Sequence, residues 1–262
     1  MNKCEERWRL RLVRVQDLRN QVPNPAALDF YQATLQFQSS LARRFQQAVD
    51  PALSLRDQID VSALALEMPS ILEVSAEDGP ELLRSEARKI ARRGEQDWRD
   101  LLSASLSSRN SSLNPVHDFF ARACLQPPAE NLQLQFAKRE HYIGSVCPIC
   151  GGLPQMAVLK PEGEGASRSL LCSFCLCEWP FRRLICAWCG EEDKERLPRY
   201  SSEEWNYVHV EACETCKHYL KAVDLSVNGL AAPMVDEAAL AVLDVWATEH
   251  GYTKIIRNLI GF

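Results

Sequence analysis

The chain has 262 residues, 46% hydrophobic and 25% charged, with a net charge of −5. This is enough apolar material for one large domain or two ordinary ones, and the acidic balance excludes a protein built mainly to neutralise nucleic acid. The best candidate for a membrane span, AALAVLDVWA at 238–247, is too short and carries Asp244, so membrane insertion is not expected.

The N-terminal MNKCEERWRLRLVRVQDLRN mixes charge with apolar residues at helical spacing. It has no uninterrupted apolar stretch and no small-residue cleavage site, so no signal peptide is read and a cytosolic protein is expected. Asn24-Pro25 marks a helix start, a cap followed by proline where its missing N–H costs nothing. Behind it Leu28, Tyr31, Leu35, Ala42, Phe45 and Val49 form one apolar stripe, and Phe30, Thr34, Phe37 and Leu41 a second. A long pattern follows through Leu83, Ala87, Ile90, Gly94, Trp98, Leu101 and Ser105. Arg88, Lys89, Arg92, Arg93 and Arg99 lie opposite it and read as a solvated face. Asn114-Pro115 starts a short helix with Val116, Phe119, Phe120 and Ala123 inward, which Pro127-Pro128 should end. A further helical stretch is expected over 129–142.

From 147 to 230 the helical period disappears. QMAVL and SLLC read as strands around the turn-rich PEGEGAS, and WNYVHV as another. The tail is helical again from Val235 to His250, with Ala239, Val242, Leu243, Trp246 and Ala247 inward and Gly251 as the stop.

Of eleven cysteines, Cys4 and Cys124 stand alone and nine fall between 147 and 216. Cytosolic thiols stay reduced, so structural disulfides are not expected. Four CxxC pairs occur: Cys147/Cys150, Cys172/Cys175, Cys186/Cys189 and Cys213/Cys216, separated by 21, 10 and 23 residues. The unit CPIC-x21-CSFC recurs as CAWC-x23-CETC after 39 residues, the mark of a tandem duplication. Two thiolates at i and i+3 across a tight turn both reach one ion at about 2.3 Å, and a second such turn completes a tetrahedron. Pro148 fixes φ at the first turn, and Gly151 or Gly190 can take positive φ. A thioredoxin-like CxxC occurs once, beside a βαβ pattern, so four pairs in two matching units favour metal over dithiol chemistry. The repeat favours sequential pairing over a cross-brace that would join Cys147/Cys150 with Cys186/Cys189. An all-thiolate tetrahedral site suits zinc or iron, and spacing does not choose between them.

Several neighbours of these pairs invite functional readings. Cys177 reads as a partly buried spare thiol rather than a reactive one. His209 and His218 read as surface histidines, since each ion already has four cysteines. Trp179, Phe181, Trp188, Trp205 and Tyr207 read as filling of a small core rather than a binding face. Residues 147–230 carry 9 Lys and Arg against 12 Asp and Glu, which opposes a nucleic-acid-binding zinc ribbon. No phosphate loop, GxSxG or HExxH is present, and no acid, base and nucleophile converge to suggest an enzyme.

CPICGGLP, LLCSFCLCEWPFRRLICAWCG, YVHVEACETCKHYLKAVDL and the ending VLDVWATEHGYTKIIRNLIGF together resemble the formate dehydrogenase accessory protein FdhE family. The resemblance is specific over about 147–262 and rests on length and arrangement before that. It implies a cytoplasmic maturation factor, chaperone-like, that binds the catalytic subunit of respiratory formate dehydrogenase before export. It also implies rubredoxin-like sites with the eight paired cysteines as ligands of two mononuclear ions, iron being favoured and zinc remaining open. The alternatives are a rubredoxin-like redox carrier acting on a client and a nucleic-acid-binding zinc-ribbon protein, and oligomeric state is left open. The expected fold class is α+β: a helical domain over 1–142, rubredoxin-like modules over 143–184 and 185–226, and a helical segment over 227–262.

Overall fold

The structure is a computed structural model that describes residues 3–22, 24–107, 113–137, 141–163 and 165–261. The chain forms two compact units, one centred on helices within 1–137 and one on a sheet within 138–261.

The first unit holds α1 (Lys3–Arg19), α2 (Pro25–Arg44), α3 (Val61–Ala65), α4 (Met68–Asp78), α5 (Glu81–Ile90), α6 (Glu95–Ser107) and α7 (Pro115–Gln133). The centre of the unit is α7, which packs against α2, α4, α5 and α6. Both stripes of α2 are inward: Leu28, Phe30, Tyr31, Thr34, Leu35, Phe37, Leu41 and Ala42 are buried. The helix stops at Arg44, where Asn131 Nδ2 donates to the carbonyls of Ala42 at 2.7 Å and Phe45 at 3.0 Å. Val49 therefore lies beyond it.

Pro127 and Pro128 do not end α7; the helix continues through them to Gln133. Proline at 127 removes the N–H that would reach the Ala123 carbonyl. Buried Gln38 supplies the substitute, its Nε2 donating to Ala123 O at 3.2 Å. Packing on several sides then outweighs an intrinsic cost of about 3 kcal/mol. The stretch expected over 129–142 is thus the end of α7 followed by a turn, and 138–140 lie outside the described residues. The long pattern through Leu83 and Ser105 breaks at 91–94, and Trp98 Nε1 folds back onto Ile90 O at 3.0 Å. Arg88, Arg92 and Arg93 are exposed there, as expected of a solvated face.

The second unit holds β1 (Pro154–Glu162), β2 (Gly165–Cys172), β3 (Glu178–Pro180), β4 (Arg199–Ser201), β5 (Val208–Ala212), β6 (His218–Asp224), α8 (Pro233–Ala239), α9 (Ala241–Glu249) and β7 (Thr253–Lys254). All seven strands share one sheet, in the order β3-β2-β1-β6-β5-β4, with β7 on β6. The two ribbons are β1-β2-β3 and β4-β5-β6, each antiparallel within itself. They are joined by a parallel β1–β6 pairing from Met156 opposite Lys221 to Leu159 opposite Asp224. The strand expected at WNYVHV begins only at Val208, because 204–207 form a turn. The class is α+β, as expected.

The tail is two helices rather than one. The Glu237 carbonyl, which would accept from Ala241 N–H in a continuous helix, accepts from the buried Lys221 ammonium, as does Leu240 O at 3.2 Å. The chain breaks at Leu240, and Val242 turns outward, 55% exposed. Gly251 closes the segment at φ +81°, the left-handed stop expected of it.

Candidate metal centres

Four turns built on one plan carry the paired cysteines. In each, the N–H of the first cysteine bonds the carbonyl five residues on: Cys147 to Gly152 (2.8 Å), Cys172 to Cys177 (2.9 Å), Cys186 to Glu191 (2.9 Å) and Cys213 to His218 (3.0 Å). The residue after the second cysteine takes the left-handed conformation each time: Gly151 (φ +72°), Leu176 (+56°), Gly190 (+78°) and Lys217 (+57°). At the glycines this is free of a Cβ penalty. Leucine and lysine adopt it at a cost of about 1–2 kcal/mol, so the hydrogen-bonded turn, not the residue preference, sets the geometry.

The hairpin β1–β2 brings Cys172 and Cys175 back to Cys147 and Cys150, and β4–β5 brings Cys213 and Cys216 back to Cys186 and Cys189. Within each group of four, the sulfurs lie within 4.8 Å of one another. This is the sequential pairing; the cross-brace is not formed. Cys150 and Cys172 Sγ are 3.4 Å apart, and Cys186–Cys216 and Cys189–Cys213 are each 3.7 Å. A disulfide needs about 2.05 Å. Tetrahedral ligands at about 2.3 Å from one ion stand about 3.8 Å apart, so the donor set fits a thiophilic ion of the zinc or iron class. Trp188 N–H points at Cys186 Sγ at 3.4 Å. Burial pushes the Cys213 thiol up, but N–H groups of Cys216 and Thr215 outweigh it and hold the pKa below the ordinary value.

The remaining candidates divide. Cys177 is buried, 7% exposed, as a spare thiol should be. Its carbonyl closes the Cys172 turn, and its thiol pKa is raised, first by a hydrogen bond with Cys147 and then by burial. Cys124 is buried in the helical unit, and the side chain of Cys4 lies outside the described residues. His218 is half-buried, its Nδ1 2.9 Å from Cys216 O and its ring stacked on Trp188 at 4.5 Å. His209 is not a surface residue: it is 7% exposed on β5, and burial, with Arg199 adding to it, lowers its pKa to about 4. Neither histidine joins a sulfur group. Trp179, Phe181, Trp205 and Tyr207 are core, as expected, whereas Trp188 is 43% exposed.

One cluster had no counterpart in the sequence reading. Lys221 and Glu237 are fully buried, with their side chains 3.2 Å apart. Lys221 also meets Asp244 at 2.6 Å, and Lys254 bridges Glu237 and Asp244. Tyr219 OH donates to Asp244 at 2.9 Å and Asn258 Nδ2 to Glu237 at 2.7 Å. The only sequence signal is a lysine inside the apolar run YLKAV. The network clamps α8, α9 and β7 to β6, beside the second ribbon.

Among the described residues, no helix is long and apolar enough to cross a membrane. Two family models match consecutive segments: "FdhE, central domain" over 146–183 and "FdhE, C-terminal domain" over 184–260. A protein FdhE homolog of Aquifex aeolicus is 28% identical over 215 residues, covering 81% of this chain and 75% of its own. One from Stutzerimonas stutzeri is 30% identical over 161 residues, covering 60% and 52%, so the chain spans about half of that relative. The crystal structure of the FdhE protein from Pseudomonas aeruginosa superposes with TM-score 0.74 at 22% identity, over 98% of this chain and 96% of that one. That likeness speaks for the fold.

Proposed function

We propose that this chain is a member of the FdhE family, whose central and C-terminal domain models match 146–183 and 184–260, and that it is an accessory protein for the maturation of respiratory formate dehydrogenase. It acts in the cytoplasm as a non-catalytic scaffold that binds the catalytic subunit. The observation that carries this reading is the pair of four-cysteine groups held in one continuous sheet, which gives a rigid, metal-ordered surface. Cys147, Cys150, Cys172 and Cys175 hold one ion, and Cys186, Cys189, Cys213 and Cys216 the other. Each bound ion orders its ribbon, contributing on the order of 10–16 kcal/mol in sites of this kind. Iron follows from the family resemblance, and zinc satisfies the same donors.

The test is co-purification. Tagged, metal-loaded protein is mixed with the formate dehydrogenase catalytic subunit made without its accessory factors. Stable recovery of the subunit is expected, and recovery no greater than from a tag-only control would sink the proposal. A nucleic-acid role is opposed by the acid excess over 147–230, and it requires a salt-dependent mobility shift with DNA or RNA.

A further inference from the structure

The two sulfur groups share one turn design but not one environment. In the first, Cys147, Cys150, Cys172 and Cys175 are 2%, 8%, 0% and 0% exposed. Its turns carry Pro148, Ile149, Ser173, Phe174 and Leu176, four of them apolar side chains suited to a dry shell. In the second, Cys186 and Cys213 are buried, Cys216 is half-buried and Cys189 is exposed. Its turns carry Trp188, Glu214, Thr215 and Lys217, of which Trp188, Thr215 and Lys217 are exposed. The indole of Trp188, the one large apolar group there, is taken up in its stack on His218.

Ligand exchange at a buried thiolate requires a local opening of the fold, with its own free-energy cost, whereas an exposed one is reached directly. Thiolate reactivity likewise follows access. We infer that the second group is the exchangeable centre, entered through Cys189 by thiol or chelating ligands, while the first group retains its ion. This rests on the reading that both groups hold ions. In the exchange, Cys189 Sγ gives up its bond to the ion as an incoming sulfur or nitrogen donor forms one. The freed thiolate takes a proton from water, and no oxidation state changes.

The test uses the full chain loaded with two zinc ions and an excess of the chromogenic chelator 4-(2-pyridylazo)resorcinol. Release is expected in two phases of equal amplitude, with rates about tenfold or more apart because only the first group must open. An iodoacetamide pulse at the end of the fast phase, mapped by mass spectrometry, places label on Cys186, Cys189, Cys213 and Cys216 and leaves the first group unlabelled. Cys189→Ser retains only the slow phase. A single phase for both ions, or label on the first group or on both alike in the wild-type chain, overturns the inference. A chain that takes up no ions fails the metal reading as well. One that loses two ions together fails this inference alone, and failure to bind the catalytic subunit touches only the proposed function.

Discussion

Arg168 on β2 of the first ribbon donates from both Nε and Nη2 to Glu211 Oε2 on β5 of the second, at 3.0 and 2.7 Å. The guanidinium also donates from Nη1 to Arg182 O at 3.1 Å, in the segment that links the ribbons. Its side chain is 5% exposed and that of Glu211 is 22% exposed. The parallel β1–β6 pairing joins the two ribbons through backbone, and this ion pair is the charged bond laid across the same junction.

Arg168→Ala leaves Glu211 partly buried without its cation. Loss of one partner of a buried pair costs about 3 kcal/mol. Denaturant unfolding of the metal-loaded chain, followed by tryptophan fluorescence, should show that loss while metal content stays at two ions. Arg168→Ala with Glu211→Ala should be less destabilised than the sum of the single variants, because neither charge is then orphaned. Additive losses would mean that the pair contributes no coupling.

Gln38→Ala probes the path of α7 through Pro127 and Pro128. Without the Gln38 amide the buried Ala123 carbonyl has lost its substitute donor, at a cost of about 1–3 kcal/mol. The expected outcome is a lower unfolding midpoint for the helical unit with unchanged metal stoichiometry. An unchanged midpoint would show that the Gln38 contact is dispensable to the helix.

The turn geometry predicts opposite signs at equivalent positions. A Cβ at Gly190 meets nothing within 4 Å, so Gly190→Ala suffers the left-handed penalty alone, about 1–2 kcal/mol. Because metal binding is coupled to folding of the ribbon, affinity for the second ion should fall roughly tenfold. Lys217→Gly relieves the same strain at the matching turn. It gives up an exposed ion pair with Glu214 and a contact over the Tyr252 ring at 5.4 Å, where an exposed pair is worth about 0–1 kcal/mol. Affinity should be equal or tighter. Competition titration against a zinc chelator reads both, and weakening at both positions would contradict the account.

The grouping of the sulfurs was legible in sequence because it is local. Both thiolates of a CxxC share one turn, and the 39-residue repeat pointed to the pairing the fold adopts. The β1–β2 hairpin was legible for the same reason, as two short apolar runs around a glycine-bearing turn. What escaped is non-local. The β1–β6 pairing joins strands far apart in the chain, and its register follows from burial on the sheet rather than from a motif. Pro127-Pro128 reads as a stop until Gln38, from another helix, supplies the missing donor. The tail period ran unbroken through Leu240 because nothing near it reveals that Lys221 takes its carbonyls. His209 read as a surface residue because each ion already has four cysteines, yet it is buried on a strand face that it shares with the half-buried Glu211.

Metal removal should separate the two units. Exhaustive chelation under reducing conditions is expected to abolish the sheet signal of the ribbons, since ordering of this kind draws about 10–16 kcal/mol from each ion. The helical circular-dichroism signal from 1–137 should remain, because α7 and the helices around it form a core of their own. Zinc added back should restore the sheet in proportion to ions bound. A sheet that persists without metal would show that the β1–β6 junction and the Lys221 network suffice to hold it.

His209 sets an acid limit distinct from metal loss. It faces Asp224, whose Oδ2 lies 4.0 Å from its Nε2, with Arg199 and Glu211 also acting on it. Burial first and Arg199 second lower its pKa from 6.5 to about 4, against the opposing pull of Asp224 and Glu211. The folded chain keeps the ring neutral where the unfolded chain binds a proton, so stability falls as pH drops from about 6.5 towards 4. Above that window both states are neutral, and the residue contributes no pH dependence. Acid also releases metal from thiolates, but that loss is common to variants of His209. His209→Gln, uncharged throughout, should therefore lose less stability than the wild type between pH 7 and 5, with the two curves running parallel above pH 7. Parallel curves across the whole range would mean that His209 is protonated equally in the folded and unfolded chains.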